Sequence, residues 1–157
     1  MIGWKWIGEP GDVQVRALTK DDRSRGGMLR AFRKVYDTAD MVVGHYIRNY
    51  DLPLVNAMLV ELGDPPLGTK LTSDTKNDLP PMKGISKSQE NLSEMFGLPE
   101  PKVHMNVPRW REANRLTGRG IEKGVERAVY DVLQNIALRE MLIARGLLGP
   151  PKVWRPV

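Results

Sequence analysis

The chain has 157 residues with ordinary apolar and charged fractions, which predicts one globular domain with a single hydrophobic core. It contains no cysteine, which excludes a disulfide framework, a thiolate nucleophile and a cysteine-type zinc site and favours a reducing, cytoplasmic setting. No apolar run approaches the roughly 18 residues that a membrane helix needs, so we expect no membrane association, and the formal net charge of +5 leans toward a polyanionic partner.

The first part of the chain predicts a hairpin, a helix and a buried strand. The opening MIGWKWIGEP alternates apolar residues as a strand does, and after a turn at residues 9–12 a second strand is expected over residues 13–18. Apolar residues at helical spacing predict a helix over residues 28–39. The short apolar run at residues 40–45 is typical of a strand that is buried on both faces.

The remaining elements alternate helices with a strand and loops. Asp51 is a natural N-cap for a helix that Gly63 ends, and Ser88 can cap a short helix that ends at Gly97. The other elements are a strand over residues 69–74, a loop over 99–110 and a last helix over 120–145. This order predicts an α/β domain over residues 1–148, with helices against a small mixed sheet, followed by a proline-rich tail over residues 149–157.

Three stretches carry a family resemblance. VVGHYIRNYDLPLVNAMLVELGDPPL resembles the second conserved block of the DEDD superfamily of 3′–5′ exonucleases, and SDTKNDLPPMKGISKSQENLSEMFGL is similar to the segment that follows it. AVYDVLQNIALREML resembles the third block, an Asp-Val pair inside the last helix, and the opening is similar to the hairpin of phage-encoded members. The resemblance implies a ribonuclease H-like mixed sheet flanked by helices, and the host cytoplasm for a phage-encoded protein.

Two aspartates match the metal-binding carboxylates of that family. Asp51 and Asp131 are thereby expected to be catalytic and to bind Mg²⁺ or Mn²⁺, with no organic cofactor. Asp51 follows a predicted strand at its carboxyl end, where α/β folds place ligands, and Asp131 lies off the predicted core stripe of the last helix, which is Val125, Val129, Val132 and Ile136. The alternatives are a helix N-cap for Asp51 and a solvated helix residue for Asp131.

Other polar and aromatic residues have simpler interpretations. Asp74 is expected at a strand end or in a loop, although family members carry an aspartate there, and His45 is expected to be a hydrogen-bonded structural histidine. His104 matches no motif and is given no role. Trp4 and Trp6 can stack bases, but such tryptophans on a strand more often lie in a core or an interface.

The resemblance also implies parts that this sequence does not contain. Family members carry an Asp-x-Glu block on a central strand before the opening hairpin, and a Tyr or His four residues before the third-block Asp, where this chain has Arg127. Two carboxylates of four can hold one cation only weakly, so hydrolysis is doubtful and the enzymatic status stays open. Without the central strand, two sheet edges either close on each other, pair with a second copy, or accept a strand from another polypeptide.

A basic segment precedes and enters the last helix. Its cations are predicted to contact nucleic-acid phosphates, and the alternative is a solvated charged loop. They are Arg109, Arg111, Arg115, Arg119, Lys123 and Arg127. The C-terminal LLGPPKVWRPV, with Trp154 between prolines, suggests a peptide that docks on a host protein. Three functions therefore stand at this point: an exonuclease that is weak alone or active with a partner strand, an inactive nucleic-acid-binding module, and a protein-interaction factor that uses the sheet edge or the C-terminal segment.

Overall fold

A computed structural model describes residues 1–99 and 104–156, and this part of the chain is α/β. Its strands are Ile2–Trp4 (β1), Gln14–Arg16 (β2), Met41–Gly44 (β3), Lys70–Asp74 (β4) and Lys152–Trp154 (β5). Its helices are Arg25–Thr38 (α1), Asp51–Glu61 (α2), Gln89–Met95 (α3), Val107–Asn114 (α4) and Gly118–Ala144 (α5). None of these helices is both long and apolar enough to cross a membrane.

The strands form two separate sheets. β1 and β2 are an antiparallel hairpin, as predicted, with Gly3 opposite Val15. The second sheet has the order β3–β4–β5, in which β3 runs parallel to β4 and β5 runs antiparallel to β4. Among the described strands, β1 pairs only with β2 and β3 only with β4, so β1 and β3 do not close on each other.

The C-terminal segment is part of the second sheet. Lys152 lies opposite Thr72 and Trp154 opposite Lys70, and Trp154 is only 8% exposed within the main core. The prediction of a free docking peptide is therefore wrong for residues 152–154, while residue 157 of the predicted tail lies outside the described residues. Pro151 and Pro156 belong to the predicted proline-rich tail, but they flank an edge strand, which tolerates proline at its ends.

The core consists of two clusters. The larger one joins α1 and α2 to the sheet through buried side chains such as Leu29, Tyr36, Leu59 and Trp154. The smaller one packs the C-terminal half of α5, through Leu138 and Leu142, against Leu79 and Leu92.

Two burial predictions are wrong for a shared reason. The predicted α5 core stripe is only half-buried, and every residue of β3 is half-buried rather than enclosed on both faces. Val132 and Ile136 of that stripe line a cleft, and β3 lines it as well. Both elements thus face the same opening instead of packed side chains.

Helix α4 was not predicted. Residues 100–103 of the predicted loop lie outside the described residues, but Val107–Asn114 is helical. The Asn106 side chain accepts a hydrogen bond from the Arg109 amide at 3.0 Å, which caps the helix, and Pro108 occupies its first turn. α4 packs so closely on α5 that a Cβ atom at Gly120 would collide with the backbone of Glu112.

Candidate functional site

A cleft of about 1390 Å³ lies between the two sheets. β1, β3, α1, α2 and α5 all contribute to its walls, which are mostly apolar. Protein interiors leave few voids larger than a water molecule, so this volume is a binding-sized opening and not a packing gap. Its size and lining are sufficient to hold a ligand or a segment of another chain.

The backbone N–H and C=O groups of every second residue of β3 point toward this cleft. The Thr75 amide donates to the Gly44 carbonyl at 2.9 Å, so the peptide groups of Gly44 point toward β4. Backbone groups of successive strand residues point to opposite sides, so those of Val42 also face β4, while those of Met41 and Val43 face the cleft. β3 therefore presents an unpaired edge to the cleft.

Asp51 lines the cleft at the carboxyl end of β3. The prediction that it caps α2 is wrong: the helix begins at Asp51, and Tyr50 is the N-cap residue, without a side-chain cap hydrogen bond. Loss of solvation raises the pKa of Asp51 above its usual value, its own backbone amide opposes this, and the charge of Asp74 adds to it. The carboxylate forms no hydrogen bond or ion pair with another described residue, which leaves it available to a ligand.

Asp131 lines the same cleft from α5. Its Oδ1 atom lies 2.9 Å from Nε of Arg127, one helical turn earlier, and its side chain is 44% exposed, so it is a partly solvated helix residue in an ion pair. Loss of solvation raises the pKa of Asp131, the Arg127 guanidinium opposes the rise, and the charge of Glu90 adds to it. The acid that affects Asp51 is Asp74, so the two predicted ligands lie in different electrostatic surroundings.

These residues do not fit a two-ion site as they are arranged. Within residues 1–99 and 104–156, no three acidic or histidine side chains come close enough to hold a metal ion. A two-ion site needs several carboxylates around ions about 4 Å apart, whereas Arg127 already neutralises Asp131. The catalytic and metal-binding roles of Asp51 and Asp131 therefore stay predictions.

Asp74 organises the loop between β3 and α2. The fully buried carboxylate accepts hydrogen bonds from the backbone amides of Tyr46 at 2.9 Å, Arg48 at 3.3 Å, and Lys76 and Asn77 at 3.0 Å. It also accepts one from the Asn77 side chain at 3.2 Å. Both carboxylate oxygens are thus used to hold the backbone, including Tyr46 at a φ of +63°, which agrees with the strand-end interpretation.

Asp78 and Arg48 form a buried ion pair that the sequence analysis missed. The Asp78 side chain is fully buried and the Arg48 side chain is 12% exposed, and both guanidinium nitrogens contact the carboxylate. The Asp74 amide also donates to Asp78 at 2.8 Å. Burial by itself would raise the pKa of Asp78, but the hydrogen bonds from Arg48 and the Asp74 amide outweigh it and hold that pKa below its usual value.

His45 lies at the carboxyl end of β3 in a polar network. Its Nδ1 atom is 2.9 Å from Oγ1 of Thr75, which also accepts a hydrogen bond from the Asn135 side chain at 2.9 Å. Loss of solvation lowers the pKa of His45, which the charge of Asp74 only partly offsets, so the ring is neutral at pH 7. The Nδ1 contact matches a hydrogen-bonded structural histidine, but the buried Nε2 atom has no hydrogen-bond partner among the described residues. His104 is exposed and contributes only its backbone carbonyl, which accepts from Arg109.

The predicted basic residues divide into exposed and paired groups. Arg109 and Arg111 on α4, Arg115 after it and Arg119 on α5 are exposed, and none forms an ion pair with a described residue. On α5, Lys123 pairs with Glu126 at 3.0 Å and Arg127 pairs with Asp131. Arg119, Lys123, Arg127 and Asp131 recur every four residues, so they form a row along one side of α5 that ends at the cleft.

The opening tryptophans lie near the cleft. The Trp4 ring packs edge-on against Phe32 with ring centroids 6.5 Å apart, and Trp6 lines the cleft. Trp4 is therefore a packing residue, as tryptophans on a strand often are.

Comparison with known proteins gives no relative for this chain. It matches no protein-family profile, no curated protein and no solved structure.

Proposed function

We propose that this chain is a nucleic-acid-binding protein of the ribonuclease H-like, exonuclease-related type, in which Asp51 and Asp131 do not hydrolyse phosphodiesters without further carboxylates. One observation carries the proposal: two aspartates 80 positions apart line one cleft, and a row of cations on α5 leads to it. Cations along a path to a carboxylate-lined cleft suit a nucleic-acid strand whose phosphates follow the row.

Charge supports binding at the start of this row. The exposed guanidinium groups of Arg111, Arg115 and Arg119 are not consumed by ion pairs within the described part of the chain. Arginine binds phosphate through two parallel hydrogen bonds, which favours it at such contacts. We therefore assign the phosphate contacts to these three residues before the paired Lys123 and Arg127.

The ion pair at Asp131 argues against hydrolysis by this chain alone. A cation-binding carboxylate must be free, but Arg127 lies where the resemblance places a water-orienting Tyr or His. Arg127 stays protonated at neutral pH and cannot accept a proton from water. The arrangement therefore favours binding over catalysis.

One assay tests both parts of the proposal. The protein is mixed with 3′-labelled single-stranded DNA or RNA and Mn²⁺, and both binding and shortening of the label are measured over a range of salt concentrations. We expect binding that weakens steeply with salt and no shortening. Replacing Arg111, Arg115 and Arg119 together with Gln should reduce the slope of log K against log salt by about 2, at roughly 0.7 per phosphate contact on a single strand.

The matched control removes the same charge elsewhere. Lys20, Arg23 and Arg155 are exposed and lie outside the basic segment, and their combined replacement with Gln should change the slope much less. Absence of binding by the wild-type protein would overturn the proposal. Shortening that Asp51→Asn abolishes would show that the chain is an active exonuclease by itself.

The cleft supports a second candidate function. We propose that an extended segment of a partner polypeptide adds a strand between β1 and β3, which both line the cleft and each pair with only one described strand. β1 has three residues and β3 has four, so the added strand would pair over about four residues, roughly 13 Å at a rise of 3.3 Å per residue. An Asp-x-Glu sequence on that strand would supply the carboxylates that the resemblance implies.

A synthetic peptide tests the second candidate. The probe is a nonapeptide of alternating Val and Thr that contains Asp-Thr-Glu, and its control has the same composition with the alternation scrambled. We expect only the alternating peptide to slow amide hydrogen exchange at Met41 and Val43, whose amides face the cleft. Equal exchange with and without it would contradict strand addition.

A further inference from the structure

Helix α4 presents an exposed tryptophan. The Trp110 side chain is 44% exposed, whereas Trp154 is buried and Trp4 packs against Phe32. No ring contact or cation–π contact involves Trp110 within residues 1–99 and 104–156. The Trp110 ring is therefore partly exposed and stacks on no other ring or cation in the part of the chain that the structure describes.

The surroundings of Trp110 combine a small apolar patch with positive charge. Val107 lies three residues earlier on the same face of α4 and is 62% exposed. Residues 104–127 contain six cationic side chains and three acidic ones, a net charge of +3. A polyanion with apolar rings complements such a surface, and a nucleic acid has both.

The helix that carries Trp110 is held in place. Ala113 is buried against α5, where Gly120 allows the two helices to approach closely, and the Asn106 cap fixes the first turn. A ring on a helix that is fixed in this way is preorganised, which lowers the entropic cost of binding.

We propose that Trp110 is a stacking site for an unpaired base, with Arg111 and Arg115 holding the adjoining phosphates. The inference rests on the proposed function, that the chain binds nucleic acid, and it adds a contact on α4 outside the cleft. The ring stacks on the face of a base that is not paired in a duplex, and such stacking tolerates any base. The site therefore prefers single-stranded nucleic acid.

Paired ligands separate stacking from phosphate binding. The probes are a labelled dT 12-mer and an abasic 12-mer with the same number of phosphates, and binding is measured by fluorescence anisotropy. Trp110→Ala should weaken binding of dT about five- to 150-fold, which corresponds to the range for stacking on one base. The same variant should bind the abasic strand as the wild type does, and Trp110→Phe should retain most of the affinity for dT.

Two further variants complete the test. Arg111→Gln should weaken binding of both probes and lower the salt slope, since it removes a phosphate contact. Ile143→Ala alters a similarly exposed apolar residue near the C-terminal end of α5, about 36 Å along the helix from Arg119, and should change neither affinity. Circular dichroism and Tm confirm that each variant is folded.

The outcomes distinguish this inference from the proposed function. If the wild type binds both probes and Trp110→Ala binds dT as tightly as the wild type, the stacking site is refuted and nucleic-acid binding stands. If the wild type binds neither probe, the proposed function and the stacking site both fall, and Trp110 is left as a contact for a protein partner.

Discussion

The carboxyl end of β4 and the outer edge of β3 differ sharply in how their polar groups are used. At the carboxyl end of β4, Asp74 and Asp78 accept hydrogen bonds from the loop that follows β3, and Arg48 is held between loop and sheet. Along the outer edge of β3, the backbone of Val43 faces a cleft, and the Asp51 carboxylate has no partner among the described residues. β3 thus lies between two regions. In the saturated region, at the carboxyl end of β4, the buried carboxylates accept hydrogen bonds. In the open region, along the outer edge of β3, backbone groups and the Asp51 carboxylate face the cleft.

The difference indicates which region sets the fold and which can bind. A buried carboxylate is tolerated only when its hydrogen bonds are satisfied, so the Asp74 and Asp78 network fixes the geometry of the loop. Unpaired strand edges and free carboxylates, in contrast, are where a ligand or another chain gains contacts without displacing existing ones. We therefore propose that the open side of β3 is a binding surface, in addition to the basic residues of α4 and α5.

The largest expected effect concerns the saturated region. Asp78→Ala should lower the free energy of unfolding by about 3–5 kcal/mol, because it leaves the nearly buried Arg48 without its counter-ion. The measurement is urea denaturation at pH 7, with Asp51→Ala as the control that should change little. Equal effects of the two substitutions would contradict the contrast between the regions.

This first prediction has a pH dependence. The pKa of Asp78 is lowered in the folded state, so its contribution is present above the unfolded value of about 3.9 and is lost as pH falls through the folded value. The difference between wild type and Asp78→Ala should therefore shrink below about pH 4.

Core packing gives the next largest contrast. Leu138 is fully buried on α5, and Leu138→Ala should cost about 2–5 kcal/mol of unfolding free energy. Val132 lies on the same helix but lines the cleft, so Val132→Ala should cost less than about 1 kcal/mol, since few of its contacts are lost. Thermal and urea unfolding of both variants check this, and a larger loss for Val132→Ala would show that the cleft is packed.

Proline substitutions probe the two sides of β3. Val42→Pro removes an amide that faces β4 and leaves a β4 carbonyl unpaired, at a cost of about 1–3 kcal/mol. Val43→Pro removes an amide that faces the cleft, and edge strands tolerate this change. Unfolding midpoints should therefore fall much further for Val42→Pro than for Val43→Pro. The reverse order would mean that the Val43 amide, and not the Val42 amide, is paired within the sheet.

The smallest expected effect is that of Asp51→Asn. The folded-state pKa of Asp51 is raised, so wild-type stability falls as pH rises from the unfolded value through the folded one. The Asn side chain does not ionise, so the variant does not lose stability as the pH rises. It should therefore be slightly more stable than the wild type at pH 7 and equally stable at pH 3. A variant that is less stable at pH 7 would show that the carboxylate makes a stabilising contact.

Local features of the fold could be predicted from the sequence. The opening hairpin followed from alternation and a turn, and the Ser88 cap and Gly97 stop of α3 followed from residue types that act within one turn. α4 has the same kind of signal, because Asn106 and Pro108 mark its start. It was missed because two prolines nearby favoured a loop.

Long-range pairing explains the other errors. Nothing local to residues 152–154 shows that they add a strand to β4, which lies about 80 residues earlier. In the same way, the Arg48–Asp78 pair joins two loops that only the sheet brings together. Asp51 and Asp131 were placed near one cleft by resemblance, but the Arg127 ion pair and the separate influences of Asp74 and Glu90 depend on side-chain geometry.

Residue-by-residue amide hydrogen exchange in β3 tests most directly the central claim that the outer edge of this strand is open. In the absence of any partner, the amides of Val42 and Gly44 should be protected by their hydrogen bonds to β4, while those of Met41 and Val43 exchange much faster. This alternation is the result that an open edge predicts. Equal protection of all four amides would contradict it, because it would mean that both sides of β3 are already paired.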